Sequence, residues 1–382
     1  MTNLDHPVRV CFPFVGDSVG GSQISAAQLI SSLDPNEFIP VVLIHQKGPL
    51  CEYFDKLDIQ YSILPLTDFV GNGRTVLNHF LSFLYTLPNL RRYLTTNRID
   101  VVHTQDGRMN QTWVLPAKLS GVVHIWHQRS VYGPSGLTRF CLGQSTAVIC
   151  NSQFVRNSLP IEFQADAQVV INPFDKAFLT PDRAACRALC QQATDATNEI
   201  QFVGFVGNLT EQNRPRVFIE VAGILNRQMP GKLRFLVFGR DRDGLMPEIR
   251  QQISHEGLEQ VVHFPGFQNN IHEWIAGLDV LLAPQVNEAF GRTLVEAMLV
   301  GTPIVASNSG GHPEVITAPE TGMLVEADNA KEMADKALIC LEAPVETGVS
   351  TAEARIKAAD RYSLSAHTSE VSGIYRQCLA LH

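Results

Sequence analysis

Two successive series of short apolar runs, each alternating with stretches of helical spacing, constrain this 382-residue chain more than any other feature. In the first series the strand-like runs fall at 8–14 (VRVCFPF), 40–45, 59–65, 100–105, 122–128 and 147–152, and helical patterns cover 22–33, 75–96 and 110–119. The alternation stops over about 175–200, a stretch that reads as a partly helical connection. It restarts with runs at 201–207, 234–239, 261–267, 279–285, 303–307 and 322–326, and with helical patterns at 216–228, 247–255, 293–300 and 331–341. Strands that are apolar on nearly every residue are buried on both faces, as in a parallel sheet covered by helices. The expected fold class is therefore α/β, with two doubly wound parallel-sheet domains, 1–175 and 198–361. The helical tail at about 362–382 is expected to pack back on the first domain. Ligands of such sheets bind beyond the carboxyl ends of the strands, so two sheets facing a cleft would make that cleft the site.

Composition narrows the function by exclusion. A net charge of −8 argues against nucleic acid as a partner. The eight cysteines are scattered with no C-x-x-C, which suggests buried thiols in a reducing, cytoplasmic setting. The opening residues run straight into a strand with no leader pattern, and no apolar run reaches the ~18 residues of a membrane span. The apolar stretch 76–96 reads as an ordinary core helix interrupted at Pro88. Arg91 and Arg92 near its end leave peripheral membrane contact open. Signatures of zinc proteases, P-loop ATPases and serine hydrolase elbows are missing. One D-x-D, Asp241 to Asp243, sits among arginines that can pair with it, so no metal is expected there. GNGR at 71–74 reads as a plain loop.

Four stretches carry chemistry. Gly20 and Gly21 precede a helix, where backbone N–H groups can approach an anion; the bland reading is a tight turn capped by Ser22. The loop VGNLTEQNRPR offers Asn208, Asn213, Arg214 and Arg216, either to a phosphate or merely to solvent. His124 and His127 are three apart in a strand and face opposite sides, with His127 nearer the ligand-binding end. NEAFGRTLVEAM places Glu288 after a strand, a helix start near Phe290 to Arg292, and Glu296 inside the helix. A positive helix end between two carboxylates suits a ligand with hydroxyls at both ends and an anion in the middle.

These residues resemble glycosyltransferase family 4, whose GT-B members carry an E-x7-E motif. The match is Glu288-AFGRTLV-Glu296 with AMLVGTPIVASNSGGHPEVI after it, and it extends more loosely over nearly the whole chain. The resemblance implies a retaining, metal-independent transfer of a sugar from a nucleotide-diphosphate sugar to a saccharide, lipid-linked or small-molecule hydroxyl, without a cofactor. It implies that Glu296 binds the ribose and Glu288 the donor sugar. Gly20 and Gly21, the backbone at Phe290, Gly291 and Arg292, and Thr293 would face the diphosphate. His127 would lie near the reacting sugar, and Phe267 and Gln268 near the base. The chain departs from the family at Asn208 and Asn213, where an Arg and a Lys usually neutralise the diphosphate. Arg214 is the expected partial substitute, with Arg216 and Arg240 as other candidates. The alternatives are a catalytically weakened GT-B partner or binding protein, and another chemistry on a nucleotide sugar, such as epimerisation.

Overall fold

A computed structural model of the chain describes residues 6–66, 68–70, 76–174, 181–342 and 344–381, with the side chains of 76–81 and 344–350 left aside. The GNGR loop and part of the 175–200 connection lie outside the described residues. The chain divides into two compact units, Met1–Phe174 with Tyr362–His382, and Asp175–Arg361.

The first unit is a seven-stranded parallel sheet. Its strands are β1 (Val8–Phe14), β2 (Phe38–Ile44), β3 (Tyr61–Ile63), β4 (Val101–Thr104), β5 (Val123–Gln128), β6 (Ala147–Cys150) and β7 (Gln168–Val169), in the order β3-β2-β1-β4-β5-β6-β7. Val10, Phe12, Val101, Val123 and Ile125 share one core with Val371, Ile374 and Tyr375 of the helix Leu364–Ala380. Cys11, Val102 and Leu43 form a second core with Leu90, Leu94, Met109 and Trp113. Each fully buried large side chain contributes about 1.5–3 kcal/mol, which explains why these strands read as apolar throughout. The helical tail belongs to this unit: Ser32 and Thr368 are hydrogen-bonded at 2.6 Å, and the Phe174 N–H donates to the Tyr362 carbonyl at 3.0 Å.

The second unit holds six parallel strands: β8 (Gln201–Val206), β9 (Leu233–Phe238), β10 (Val262–Gly266), β11 (Val280–Ala283), β12 (Ile304–Ser307) and β13 (Met323–Val325). Their order is β10-β9-β8-β11-β12-β13. The helix Arg183–Thr194 packs against the helix Ile271–Gly277, close enough that a Cβ on Gly277 would lie 2.5 Å from the Cys186 carbonyl oxygen. That segment is therefore part of the second unit's wall. Strand β11 ends at Ala283, short of the expected 285, because Pro284 has no N–H to extend the ladder.

Other local expectations change as well. The helix Val76–Thr96 runs through Pro88 without a break. Leu90 and Leu94 are buried, but Leu84 and Tyr85 are 54% and 80% exposed, so the helix is half core and half surface. The eight cysteines are free thiols, all but Cys51 buried. No described helix is long and apolar enough to cross a membrane.

Candidate functional site

In each sheet the strand order reverses once, between β1 and β4 and between β8 and β11, the position at which doubly wound sheets form a binding crevice. In the second unit the crevice is bounded by 207–214 after β8 and 284–291 after β11. The two loops are tied together. The Val286 N–H donates to the Gln212 carbonyl at 3.0 Å. Side-chain amides of Gln285 and Gln212 donate to the carbonyls of Val206 and Asn287 at 3.1 and 3.2 Å.

The helix Arg292–Val300 begins at this crevice. Its cap, Gly291, is left-handed at φ 95° and has no side chain with which to cap the first turn. Leu294 to Val300 are all buried, and Glu296 is the one charged residue among them. Its carboxylate lies 3.7 Å from the Arg292 guanidinium. Desolvation nevertheless pushes the Glu296 carboxyl above the usual range, with Arg292 opposing. Desolvation raises the half-buried Glu288 carboxyl too. An apolar helix that keeps a glutamate one turn in, with a second desolvated carboxyl ahead of its start, holds two acceptors in readiness for hydroxyl donors.

The Glu288 backbone is fixed by the GGH loop beyond β12. The Gly311 N–H donates to the Glu288 carbonyl at 2.7 Å, and the Asn287 N–H to Ser309 Oγ at 3.0 Å. Gly310 sits at φ 62°, and a Cβ there would be 2.4 and 2.5 Å from the Glu288 carbonyl oxygen and nitrogen. Behind it, His312 Nδ1 bonds the Ser307 carbonyl at 3.0 Å, and burial pushes the imidazole down to about 4, so it stays neutral. Phe290 is buried and Thr293 half-buried at the helix start.

The positions where cations were expected have other tasks. The Asn213 amide donates to the Asn208 carbonyl at 2.8 Å, which closes the loop on itself, and Asn208 Oδ1 accepts the Arg240 N–H at 3.2 Å. The Arg214 guanidinium is held by Asp328 at 2.7 Å and the Glu211 carbonyl at 2.6 Å. Arg216 is paired with Glu211 and Glu248 at 2.6 and 2.5 Å. Arg240 makes no ion pair among the described residues. Its guanidinium lies 4.4 Å from the centroid of the Phe267 ring, which is 49% exposed. Gln268 turns its amide back to the Pro265 carbonyl at 2.8 Å. The D-x-D carboxylates are used by backbone: Asp241 accepts from the Leu245 and Met246 N–H groups, and Asp243 from Glu211 N–H. Among the described residues no three His, Cys, Asp or Glu side chains cluster as a metal site.

In the first unit, Gly20 caps the helix Gly21–Ser32, and the Gln23 side chain accepts the Gly20 N–H at 3.0 Å. Gln23, not Ser22, closes that turn; Ser22 lies inside it and donates to Gln23 at 2.8 Å. An Arg108–Asp17 pair at 2.8 Å joins the start of the helix Gly107–Leu119 to the loop after β1. His124 and His127 do lie on opposite faces. His124 bonds Thr104 at 3.2 Å, whereas His127 Nδ1 lies 3.1 Å from His103 Nε2. His127 is fully buried, and desolvation first, then Arg129, His103 and His367, hold it well below the ordinary imidazole value, so it is neutral. The sequence reading missed His103, Gln105, Arg129 and Tyr375, which surround His127. The available signal was a polar pair two residues apart at the ends of adjacent strands, His103 with Gln105 and His127 with Arg129.

Comparison with known proteins places this geometry. Residues 19–177 match the family profile described as Glycosyltransferase Family 4, and residues 201–343 match that of Glycosyl transferases group 1. The lipopolysaccharide core biosynthesis mannosyltransferase LpsB of Rhizobium meliloti is 27% identical over 184 residues, 47% of this chain and 52% of the relative. A D-inositol 3-phosphate glycosyltransferase of Corynebacterium aurimucosum is 30% identical over 224 residues, 56% of this chain and 52% of the relative. The matched regions thus span little more than half the length of these curated relatives. HepE of Anabaena, solved with UDP and glucose, superimposes with a TM-score of 0.81 at 20% identity over 96% of this chain and 99% of that one. A glycosyltransferase of Rickettsia africae superimposes at 0.83 and 18% identity over 98% and 99%. These likenesses establish the GT-B fold.

Proposed function

The chain belongs to glycosyltransferase family 4, and on that premise we propose that it transfers a sugar, with retention and without a metal, from a nucleotide-diphosphate sugar to a hydroxyl acceptor. The supporting observation is the Glu288–Glu296 arrangement: two desolvated carboxyls flank the glycine-capped start of a buried helix, and the Gly310–Gly311 backbone fixes the first of them. In this reading Glu296 accepts from the ribose hydroxyls and Glu288 from those of the donor sugar. N–H groups at Gly291 to Thr293 face the diphosphate, whose growing charge they stabilise as the bond to the sugar breaks. The acceptor oxygen attacks the anomeric carbon from the face the diphosphate leaves, and its proton passes to the departing phosphate oxygen. The exposed Phe267 ring with Arg240 over it is a platform for the base. The acceptor would be a saccharide, a lipid-linked sugar or a small polyol, in a cytoplasmic setting. Leu84, Tyr85, Arg91 and Arg92 on one exposed helix face would give peripheral contact with an anionic bilayer.

The missing charge at Asn208 and Asn213 supports a second reading, a GT-B protein that binds nucleotide sugars with little turnover. Arg214 and Arg216 are already engaged by carboxylates, whereas the Arg240 guanidinium makes no ion pair among the described residues and its backbone N–H bonds Asn208. The experiment is turnover of UDP-, GDP- and ADP-sugars in the presence of a chelator, with the anomer of the product read by NMR. Transfer with retention supports the first reading, and binding without turnover the second. Loss of activity on chelation would overturn metal independence. If Asn213→Lys raises turnover, the loop lacks charge; if it lowers turnover, the Asn213–Asn208 bond is the needed feature and Arg240 supplies the charge.

A further inference from the structure

The environment of His127 contains a donor that cannot act as an acceptor. Arg129, two residues on and on the same side of the chain, approaches His127 Nδ1 with a guanidinium nitrogen at 3.4 Å. Arginine only donates, so Nδ1 carries a lone pair, and the proton of the neutral ring sits on Nε2. The consequence runs through the neighbours. His103 Nε2, 3.1 Å from the same Nδ1, must then be the donor, which leaves His103 Nδ1 as acceptor for the Tyr375 hydroxyl at 2.5 Å. The His103 and His127 rings are inclined by 16°, with centroids 5.3 Å apart. Arg129 Nε also donates to Gln105 Oε1 at 2.7 Å, and its other arm to Asn172 Oδ1. One guanidinium thus occupies acceptor atoms on three side chains. What remains on two of them is donor capacity: His127 Nε2 and Gln105 Nε2 are both buried without a partner among the described residues. A buried donor left unpaired costs about 1–3 kcal/mol, which points to a partner supplied from outside the chain.

We propose that Arg129 is a positioning residue that fixes His127 as the Nε2–H tautomer and turns the carboxyl edge of the first sheet into a hydrogen-bond-donor surface for sugar hydroxyl oxygens. His127 is then a donor to the ligand and not a proton-accepting base. The ligand half of this inference rests on the proposed sugar transfer; the tautomer half does not. His367 and Tyr375 from the helical tail, with His103 from β4, are the titratable groups facing His127 besides Arg129.

The test is a long-range proton–nitrogen correlation spectrum of the full chain labelled at histidine, with the His127 signals assigned through His127→Gln. Expected is a neutral ring bearing its proton on Nε2 from about pH 6 to 8. Arg129→Met should convert His127 to a mixture of tautomers, and Arg129→Lys, which keeps a donor-only cation, should restore the Nε2–H form. A wild-type ring protonated on Nδ1, or a tautomer ratio unmoved in Arg129→Met, overturns the role of Arg129. Addition of nucleotide sugars should shift the Nε2–H resonance, whereas the nucleoside diphosphates alone should not. A shift with the diphosphate alone would assign these donors to phosphate, and no shift with any nucleotide sugar would overturn their assignment to the sugar. If the protein binds no nucleotide sugar in an independent titration, the transfer reading fails while the tautomer result still stands.

Discussion

At the residue scale the two glutamates carry opposed demands. Burial raises both carboxyls, so the native chain holds more protons than the unfolded one over the intervening pH range. Unfolding free energy should therefore fall as pH rises from the ordinary glutamate value of about 4.3 through the raised native values. Glu288→Gln should remove its share of that loss. We expect the ligand-free variant to gain about 0.5–2 kcal/mol at neutral pH, with a flatter pH dependence, and to turn over a donor sugar more slowly. Urea titrations at several pH values and a transfer assay check both halves. A destabilised variant would show that Glu288 has a compensating partner in the native chain. A second prediction concerns charge. Arg240→Ala should lower kcat/KM by about 10- to 100-fold, the equivalent of one charge-assisted hydrogen bond of about 1.5–3 kcal/mol. An unchanged value would leave the diphosphate to backbone alone. These glutamates were legible in sequence because spacing relative to a helix start is a local property. The engagement of Arg214 with Asp328 was not, since the partners are far apart in the chain.

At the element scale, the loop at 309–312 acts as a brace for the loop that carries Glu288. Gly310→Ala adds a methyl group where the backbone of Glu288 already lies and strains a left-handed residue. A loss of about 1–3 kcal/mol in stability is expected, with a larger fractional loss of turnover than of nucleotide affinity, because Glu288 moves while Glu296 stays on its helix. Chemical denaturation together with kcat and KM separates the two effects; equal losses in both would mean that the brace also shapes the nucleotide side. Twelve of the thirteen described strands were visible as apolar runs, the central ones because burial on both faces leaves no polar alternation to confuse the reading. The two-residue β7 and the short helices Pro49–Lys56 and Gly136–Leu142 were not, being too short for periodicity to show. The helix through Pro88 was misread at one point because packing of Leu90 and Leu94 outweighs one lost backbone bond.

At the scale of the whole molecule, a chain-order reversal in each sheet places one crevice per unit, and the second unit's crevice holds the E-x7-E motif. The doubly wound pattern of both units was legible from alternation alone. The edges were harder to see: the helix Arg183–Thr194 joins the second unit through contacts with the helix Ile271–Gly277, and no local pattern reports such a contact. Exposed Leu84 and Tyr85 beside Arg91 and Arg92 lead to another prediction at this scale. The chain should sediment with vesicles containing anionic lipid, and Leu84→Ser with Tyr85→Ser should weaken that binding several-fold; equal binding by the variant would place any membrane contact elsewhere.

In the proposed reading the helix Arg292–Val300, with Glu288 before it and Glu296 within it, holds a nucleotide-diphosphate sugar. That binding is tested most directly by the thermal shift of the wild-type chain and of Glu296→Ala with UDP-, GDP- and ADP-sugars. A ligand at about 100 times its dissociation constant stabilises by about 2.7 kcal/mol, a shift of several degrees. Such a shift is expected with one nucleotide class in the wild type, and its loss in Glu296→Ala. No shift with any nucleotide sugar, or an equal shift in the variant, would contradict it.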